Sequence, residues 1–270
     1  MKVGFIGIGN MGGAIFKGFM EKNRNGADEI FVFDTDSGKL DAVKGANGVF
    51  PCKCINELVT ESEIIIIGVK PNVYEAVMPL IAESYDDSKI LISMAAGITI
   101  SFIEKYAGKT AKIIRIMPNT PALVGEGMTS ASRNGSITDD DMKRAFVILE
   151  AVGKAREVPE DLIHCVIGIS GSSPAYTYMY IDALAEAAVK NGMDKGQALA
   201  FAAQSVYGAA KMVLETGTDP EKLRINVCSP GGTTIEAVKK LQDDNFAEII
   251  GAGVQAAVEK SKLMSGRRGL

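Results

Sequence analysis

The chain begins with the stretch Met1-Lys2-Val3-Gly4-Phe5-Ile6-Gly7-Ile8-Gly9-Asn10-Met11-Gly12-Gly13, in which an apolar segment leads directly into a glycine-rich turn. The turn matches the pattern G-x-G-x-x-G, and the residues that follow it, from Ala14 to Lys22, have helical character. In a strand–turn–helix unit, the first glycine permits the tight turn, the second lets a pyrophosphate approach the backbone, and the third brings helix and strand together. The stretch therefore predicts a dinucleotide-binding unit, with phosphates at the N-terminus of the helix.

An acidic residue strengthens this interpretation. Asp34 lies 22 residues after Gly12, at the end of the next apolar run, Glu29–Phe33. Dinucleotide-binding units carry such an acid about 20 residues after their glycines, where its carboxylate binds the ribose. A strand, a turn, a helix and an acid at this spacing together favour a cofactor site over a glycine-rich turn that binds nothing.

The composition predicts a globular chain of two domains. With 270 residues, of which 47% are hydrophobic, the chain is long enough to bury a substantial core. Its net charge of −4 and isoelectric point near 5.3 provide no basic field for nucleic acid or an anionic membrane surface. The N-terminus lacks the cationic region of a signal peptide, and no apolar run approaches the roughly 20 residues of a membrane-spanning helix. We expect no nucleic-acid or membrane partner and a cytoplasmic location.

The cysteines and the histidine narrow the possible chemistry. Neither C-x-x-C spacing nor the density of a disulfide-rich scaffold is present, so we expect no metal site and four reduced, mostly buried thiols, at Cys52, Cys54, Cys165 and Cys228. His164 is the only histidine, and no nucleophile motif accompanies it. We therefore expect His164 to be partly buried or at the solvent edge, without a role in catalysis.

Short β-rich runs alternate with helical segments up to about residue 159. We predict strands at Val3–Gly7, Glu29–Asp34, Glu63–Val69, Lys89–Ser93, Lys112–Met117, Met128–Ser132 and Ala155–Val158. Helices are predicted at Met11–Lys22, Gly38–Lys44, Val73–Glu83, Ile100–Tyr106 and Asp139–Val152. This alternation predicts an α/β fold with a Rossmann-type, doubly wound and mostly parallel sheet. Ile64–Ile67, apolar on both faces, is typical of a central strand covered by helices on both sides.

The character of the sequence changes after Pro159. Four segments rich in alanine, methionine and leucine predict helices at Pro174–Asn191, Asp194–Glu215, Thr233–Gln242 and Asn245–Lys262. We therefore predict a dinucleotide-binding domain over residues 1–159 and an all-helical domain over residues 160–270. The alanines lie on more faces than one core-facing stripe requires, which indicates either a subunit interface or a large internal core. The tail Ser265–Leu270 is expected to be frayed.

Unusual loops follow several of the predicted strands. They are Gly68–Pro71, Met94–Gly97 and Met117–Pro121, and each taken singly could be an ordinary turn. Ligands of a doubly wound sheet bind outside the carboxyl ends of its strands, so the joint placement of these loops predicts contact with the cofactor. Asn56, at a probable helix start, could cap that helix or contact a nucleotide.

A second glycine turn lies in the helical part, at Cys228-Ser229-Pro230-Gly231-Gly232-Thr233-Thr234. The proline fixes the chain direction, the paired glycines expose backbone N–H groups, and the threonines stand in the opening turn of a helix. These features predict a binding site for a small anion such as a carboxylate. The segment Ser170–Pro174 has a similar pattern and is expected to form another wall of the same pocket.

These motifs resemble those of the Δ1-pyrroline-5-carboxylate reductase family, whose members make L-proline from its cyclic imine. The resemblance runs along the full chain and rests above all on Cys228–Thr234. Further matching segments are Phe5–Met11, Val69–Pro71, Ala95–Gly97, Met117–Pro121 and Ser170–Tyr176. The resemblance implies a Rossmann domain followed by a helical domain that forms homodimers, and dimers that assemble further into decamers.

The resemblance also implies which residues bind the ligands. For the cofactor these are Gly7, Ile8, Gly9, Asn10, Met11, Gly12, Asp34, Thr35, Asn56, Val69, Lys70, Pro71, Ala95, Ala96 and Asn226. For the imine or proline they are Glu160, Ser229, Gly231, Gly232, Thr233 and Thr234. The implied reaction is hydride transfer from NADPH or NADH to the imine carbon, with the Thr234 hydroxyl as the catalytic group that hydrogen-bonds the ring nitrogen. Such a reaction needs positioning more than it needs a base, which suits a chain with one histidine.

The residues after the second strand bear on the choice of cofactor. Family members that prefer NADPH often carry small hydroxyl residues there, whereas this chain has Asp34-Thr35-Asp36. An acid at this position binds the free ribose hydroxyls of NADH and repels a 2′-phosphate. Because Lys39 or Ser37 could still receive that phosphate, the sequence favours NADH without excluding NADPH.

Two other functions fit a Rossmann domain followed by helices. A β-hydroxyacid dehydrogenase would need a general acid/base at the alcohol oxygen, for which Lys211 is the available helical candidate. A non-enzymatic dinucleotide sensor or assembly protein would keep the glycine turn and turn over no substrate.

Overall fold

A computed structural model describes residues 1–23 and 25–266 of the chain. The chain forms two compact units: the first contains Met1–Gly171 together with the chain from Ala256 onward, and the second contains Ser172–Gln255. This division by compactness falls at Gly171 rather than at the boundary that the sequence predicts after residue 159. Compactness and sequence composition are different criteria for a domain boundary, and the boundary at residue 159 stays a prediction.

The first unit is built on one eight-stranded sheet. Its strands are β1 Lys2–Ile6, β2 Glu29–Phe33, β3 Val49–Pro51, β4 Ile64–Ile67, β5 Ile90–Ser93, β6 Lys112–Met117, β7 Gly127–Arg133 and β8 Gly153–Glu157. Their order is β3-β2-β1-β4-β5-β6-β7-β8, and every neighbouring pair is parallel except β6 and β7. The predicted doubly wound, mostly parallel sheet is confirmed.

Helices connect these strands. They are α1 Asn10–Lys22, α2 Ser37–Val43, α3 Ile55–Glu61, α4 Tyr74–Ala82, α5 Ile100–Ala107, α6 Asp139–Leu149 and α7 Ile163–Val166. Short 3-10 turns occur at Pro71–Val73, Thr120–Val124, Glu150–Val152 and Glu160–Leu162, and a π-helical turn spans Ile167–Gly171. Each helix predicted for this unit is present within a few residues of its expected bounds.

The core lies on both faces of the sheet. All four residues of β4 are 0% exposed, as a central strand requires. Ile64 and Ile66 pack in one apolar cluster with side chains of α1, whereas Ile65 and Ile67 pack in the other with side chains of α3 and α4. Each of these isoleucines contributes about 1.5–3 kcal/mol by leaving water. The first unit therefore has an apolar core on each face of its sheet.

Strand β3 and helix α7 were not predicted from the sequence, and of helix α3 only a probable start near Asn56 was predicted. Strand β3 has three residues and ends in Pro51, so it is too short to show alternation and carries no β-branched run. Helix α3 has seven residues, of which Ile55, Leu58 and Val59 are buried. Elements this short offer less than two turns or two repeats, which is too little for a periodic signal.

The cysteines correct one expectation. All four thiols are free, but only Cys52 is buried. Cys54 precedes α3 as its N-cap and Cys165 lies on α7, and both are exposed, so the prediction of mostly buried thiols is wrong. The reason is position: a loop residue and an outward-facing helical residue are not drawn into a core by sequence composition alone.

The second unit is helical, as predicted. It contains α8 Ser173–Lys190, α9 Lys195–Thr216, α10 Pro220–Val227 and α11 Thr233–Asp243, together with the first half of α12 Phe246–Gly266. Helix α10 is an element that the sequence analysis did not predict. Helices α8 and α9 pack through Ala185, Ala198 and Ala202. Helix α12 runs through the first two residues of the tail expected to be frayed, and residues 267–270 lie outside the described part.

The described part of the chain contains neither a membrane-spanning helix nor a cluster of metal ligands. Among the residues described, no helix combines the length and the apolar character needed to cross a membrane. Across residues 1–23 and 25–266, no group of three or more histidine, cysteine and acidic side chains is arranged to hold a metal ion. The expectations of no metal and no membrane partner stay predictions.

Candidate functional site

The first glycine turn joins β1 to α1, and its three pattern glycines meet different surroundings. Gly7 has a φ of +87°, and a Cβ on Gly12 would lie 2.3 Å from the carbonyl oxygen of Gly7. A Cβ on Gly9, in contrast, would meet nothing within 4 Å. The first and third glycines are therefore required by the fold, whereas Gly9 leaves open space beside the backbone, which is where a pyrophosphate needs room.

The N-terminus of α1 suits an anion. Gly9 is the N-cap and supplies no side-chain acceptor to the helix. The first N–H groups of a helix have no intrahelical partner, and the helix dipole adds partial positive charge at the same end. The open space at Gly9 and these N–H groups together fit a dinucleotide phosphate.

Asp34 ties the second strand to the glycine turn. Its Oδ2 accepts a hydrogen bond from the Ile8 N–H at 2.9 Å, and its Oδ1 accepts one from the Asp36 N–H at 3.0 Å. The Nζ of Lys39 lies 3.3 Å from Oδ2. Burial by itself would raise the pKa of Asp34, but the hydrogen bonds from Asp36, Ile8 and Lys39 outweigh it and hold the pKa below its ordinary value. Asp34 is therefore charged at neutral pH and fixes the shape of the turn.

A cleft of about 430 Å³ opens beside Asp34, a volume within the range of small-molecule sites. Its lining combines apolar side chains with hydroxyl, ammonium and carboxylate groups. The lining residues are Phe33, Asp34, Thr35, Ser37, Leu40, Asp41, Lys44, Pro51, Cys52 and Lys53. Apolar contact for a planar ring and polar groups for a sugar or phosphate are the two requirements of a nucleoside, so the cleft fits the adenosine half of a dinucleotide.

The other predicted cofactor residues of the first unit lie along the same sheet edge. Val69, Lys70 and Pro71 follow β4, and Ala95 and Ala96 follow β5. Strands β2, β1, β4 and β5 are consecutive in the sheet, so their carboxyl ends are neighbours. The structure thus brings the glycine turn, the loop after β2 and these two loops to one edge, as the sequence predicts for a cofactor site.

A buried tyrosine supports the ends of two of these strands. The Tyr74 hydroxyl donates to the Ile67 carbonyl at 3.0 Å and lies 2.9 Å from the Ser93 hydroxyl. Burial raises the pKa of Tyr74 far above its ordinary value, so the hydroxyl stays protonated. Sequence reasoning did not single out Tyr74, and its position at the start of α4 carries no motif.

Asn56 does not cap helix α3, which was one of the two roles considered for it. Helix α3 begins at Ile55 with Cys54 as the N-cap, so the capping role is wrong because the helix starts two residues earlier than a cap at Asn56 requires. The Asn56 side-chain nitrogen donates to the Leu80 carbonyl, to Glu83 and to Ser84, at 3.0–3.2 Å. These bonds link α3 to the end of α4, and a contact of Asn56 with the cofactor stays a prediction.

Glu160, predicted to bind the substrate, is held by a buried arginine. Arg115 lies on β6 and is 2% exposed. Its Nη1 donates to Glu160 Oε1 at 2.9 Å, and the Ile100 N–H donates to the same oxygen at 2.9 Å. Sequence reasoning missed Arg115, although a single charged residue inside the apolar strand Lys-Ile-Ile-Arg-Ile-Met is a signal that could have found it.

The second glycine turn precedes α11 in the second unit. Gly231 has a φ of +71°, and the Gly232 N–H closes the turn on the Ser229 carbonyl at 3.0 Å. Gly232 is the N-cap of α11 and supplies no side-chain acceptor. Thr233 and Thr234 are exposed in the first turn of the helix. The turn thus presents backbone N–H groups and two hydroxyls, a donor set that suits a carboxylate and a neighbouring polar atom.

The remaining motif residues have clear positions. Asn119, in the loop after β6, donates to the carbonyl and hydroxyl of Ser170 at 3.2 and 3.3 Å and accepts from the Met128 N–H at 2.8 Å. This explains why an asparagine stands in that loop. Asn226 is exposed on α10, and its contact with the cofactor stays a prediction.

His164 and Lys211 are the two residues that the sequence analysis considered for proton transfer. His164 is partly buried, as expected, and its Nδ1 lies 2.8 Å from the Ser261 hydroxyl. Burial, followed by the charges of Arg115 and Lys262, lowers the pKa of His164. Lys211 is exposed on α9 and pairs with Glu215 at 3.4 Å. Neither geometry marks a general acid or base.

Comparison with known proteins now identifies the family. The family model described as pyrroline-5-carboxylate reductase dimerisation matches residues 160–264, and the model described as NADP oxidoreductase, coenzyme F420-dependent, matches residues 2–97. The pyrroline-5-carboxylate reductase of Escherichia coli K12 is 42% identical over 264 residues, which cover 98% of each chain.

Solved structures give the same result. A pyrroline-5-carboxylate reductase from Coxiella burnetii is 35% identical, covers 97% of this chain and 98% of its own, and has a TM-score of 0.92. The pyrroline carboxylate reductase of Plasmodium falciparum, solved with NADP bound, is 31% identical, covers 98% of both chains and has a TM-score of 0.84. On the evidence of the fold, the two glycine turns and this similarity over nearly the whole chain, the protein belongs to the pyrroline-5-carboxylate reductase family.

Proposed function

We propose that this protein reduces 1-pyrroline-5-carboxylate to L-proline at the expense of NADPH or NADH, the last step of proline biosynthesis. The observation that carries the proposal is the second glycine turn, with Gly231 at positive φ and an uncapped helix start behind it. Relatives that are 42% and 37% identical over nearly the full chain are named pyrroline-5-carboxylate reductases. The nicotinamide supplies the hydride when it is bound.

The second turn binds the carboxylate of the imine. The N–H groups of Thr233 and Thr234 lie in the first turn of α11, where the helix dipole favours an anion, whereas the Gly232 N–H is bonded to the Ser229 carbonyl. The Thr234 hydroxyl hydrogen-bonds the ring nitrogen, and Ser229 adds a further polar contact. The protonated imine needs no base before reduction, so these residues act by orienting it.

Glu160 supplies negative charge for the cationic imine nitrogen. Its side chain is about one-third exposed, and its carboxylate is fixed by Arg115 and by the Ile100 N–H. A carboxylate held in one orientation attracts a cation more effectively than one that must be ordered on binding. This role is compatible with a chain whose single histidine is engaged elsewhere.

The preferred cofactor is NADH. The charged Asp34 stands where the ribose of the adenosine half would lie, which favours free hydroxyls over a 2′-phosphate. Lys39 beside it, and Lys44 and Lys53 around the cleft, reduce the repulsion, so the preference is modest. Steady-state rates with each cofactor test this, and a strong preference for NADPH would contradict it.

The second unit forms a homodimer, and dimers assemble into a decamer. In its described part the buried hydrophobic residues are three alanines, whereas many large apolar side chains are half exposed or more. These are Tyr178, Met179, Phe201, Tyr207, Met212, Leu214, Ile225, Val227 and Ile249. Apolar surface on this scale is typical of an obligate subunit interface. Sedimentation of the purified protein measures the assembly, and a stable monomer would contradict the proposal.

A direct assay tests the reaction. Purified protein is mixed with pyrroline-5-carboxylate and either NADH or NADPH, and the absorbance of the reduced nicotinamide is followed. We expect oxidation of the cofactor with formation of proline. Oxidation only with the keto partner of a β-hydroxyacid would support the dehydrogenase alternative. Binding of cofactor without turnover of any substrate would support a sensor.

A further inference from the structure

We infer that Arg115 is a positioning residue for imine reduction, because it orients Glu160 so that one carboxylate oxygen stays free for the substrate's cationic nitrogen. The inference rests on the proposed substrate role of Glu160. Arg115 itself is 2% exposed, so it acts through its neighbour rather than by touching the substrate.

The two oxygens of Glu160 are used unequally. Oε1 accepts both the Arg115 Nη1–H and the Ile100 N–H, each at 2.9 Å. Among the described residues no hydrogen bond is made to Oε2. The Glu160 side chain is 32% exposed, so the carboxylate is not sealed in the core. A carboxylate fixed through one oxygen and open at the other is suited to bind a cationic N–H group.

The guanidinium is costly where it lies, which argues against a purely stabilising role. The Nε and Nη2 atoms of Arg115 are buried and have no hydrogen-bond partner among the described residues. Burying a charge without satisfying its donors opposes folding, and well-packed apolar residues in place of a buried ion pair are often neutral or stabilising. The pairing with Glu160 is therefore better explained by what it does for the carboxylate.

The chemistry predicts which kinetic constant depends on this pair. The imine nitrogen is positively charged in the bound substrate and becomes neutral as hydride adds to carbon and the C=N electron pair moves to nitrogen. A carboxylate near that nitrogen therefore stabilises bound substrate at least as much as the transition state. Its loss raises KM for the imine and leaves kcat nearly unchanged.

The test compares four variants of the full-length protein: Arg115→Met, Arg115→Lys, Glu160→Gln and the double variant Arg115→Met/Glu160→Gln. Arg115→Met is expected to raise KM for the imine about tenfold, the effect of one charge-assisted hydrogen bond, with kcat within about twofold. Arg115→Lys keeps the positive charge but loses the planar guanidinium, so its KM for the imine should lie between those of Arg115→Met and the wild type. If Arg115 acts only through Glu160, the double variant has the KM of Glu160→Gln alone.

Lys112→Met is the matched control. Lys112 lies on the same strand, and its Nζ is 3.0 Å from Asp141 Oδ2 in another largely buried ion pair. Loss of that pair lowers the unfolding temperature and leaves both kinetic constants unchanged. The double variant also guards against misfolding of Arg115→Met, because removing both charges leaves no unpaired carboxylate.

The outcomes separate the two proposals. An unchanged imine KM in Glu160→Gln overturns the substrate role of Glu160 and the inference with it. A raised KM in Glu160→Gln with a normal KM in Arg115→Met overturns the role of Arg115 alone. A double variant whose KM exceeds that of Glu160→Gln by the full factor seen in Arg115→Met also overturns it. Absence of imine turnover by the wild-type protein contradicts the proposed function itself.

Discussion

The two glycine turns look alike in sequence and differ in what surrounds them. In the first turn a Cβ on Gly12 would collide with the Gly7 carbonyl oxygen at 2.3 Å, so the glycine is required by close packing of the chain on itself. In the second turn a Cβ on Gly231 would meet nothing within 4 Å, and only the φ of +71° favours glycine. Glycine is therefore required by close packing in the first turn, whereas in the second turn it leaves open space in which a ligand could bind.

Gly9 lies in the first turn, but like Gly231 it has open space where a Cβ would lie. A Cβ there would also meet nothing within 4 Å, and its φ of −69° is negative, so no left-handed backbone angle requires glycine. In both turns, a helix begins without a side-chain cap, so the first N–H groups of α1 and α11 could bind an anion. In the proposed function, the first turn binds the dinucleotide phosphates and the second binds the substrate carboxylate.

The largest effect is expected from Gly12→Ala. The new methyl group must displace backbone, because the nearest atom is the Gly7 carbonyl oxygen. We expect a loss of about 1–3 kcal/mol in stability and no measurable cofactor binding. Thermal unfolding and a titration with NADPH measure both effects. Gly135→Ala, in open space without positive φ, is the control and should behave as the wild type; an unaltered Gly12→Ala would show that the first turn is not close-packed.

Thr234→Val should be next in size and should act on catalysis alone. The residue is exposed in the first turn of α11, so loss of its hydroxyl leaves stability nearly unchanged. We expect kcat/KM for the imine to fall by the equivalent of about 1–3 kcal/mol, the cost of one lost polar contact. Thr234→Ser keeps the hydroxyl and should retain most of the activity. Wild-type kinetics in Thr234→Val would remove this residue from the mechanism.

Gly231→Ala tests whether the second turn is constrained only by its backbone angle. Alanine at a φ of +71° costs about 1–2 kcal/mol. Gly217→Ala is a matched control, because Gly217 has a φ of +62° with nothing within 4 Å and ends α9. Both variants should lose similar stability, and only Gly231→Ala should raise KM for the imine. An equal KM in the two variants would separate this turn from substrate binding.

Asp34→Asn should have the smallest effect. It removes the charge next to Lys39 while keeping an oxygen that can accept the Ile8 N–H. We expect the ratio of kcat/KM for NADH to that for NADPH to fall a few-fold, because repulsion of a 2′-phosphate is relieved. A ratio that is unchanged while both cofactors bind more weakly would mean that Asp34 shapes the turn and does not select the cofactor.

Much of the fold was predictable because its signals are long and periodic. The central strand Ile64–Ile67 is apolar on both faces, and the helices of the second unit span many turns. The first turn was predictable because close packing imposes glycine at fixed spacing. Short elements such as β3 and α3 carry too few residues for a period, and their pairing depends on contacts distant in sequence.

The site was predictable in its loops and not in its contacts. The sheet edge could be inferred because parallel strands bring their carboxyl ends together. That Asp34 accepts from Ile8, and that Arg115 pairs with Glu160 across 45 positions of the chain, depends on tertiary packing that no local pattern encodes. A lone arginine in an apolar strand could have marked the position, though not its partner.

The central claim is that the first turn binds the cofactor and the second binds the substrate. The most direct test is the dissociation constant of NADPH for Gly9→Ala and Thr234→Val, measured in the absence of imine through the fluorescence of the reduced nicotinamide. Gly9→Ala adds a methyl group to open space, and because alanine is a poorer N-cap than glycine it costs the helix start up to about 1 kcal/mol. We expect Gly9→Ala to bind NADPH much more weakly while its unfolding temperature falls only by the small amount that a poorer helix cap explains, and Thr234→Val to bind NADPH as the wild type does. Wild-type affinity in Gly9→Ala, or weakened affinity in Thr234→Val, would contradict it.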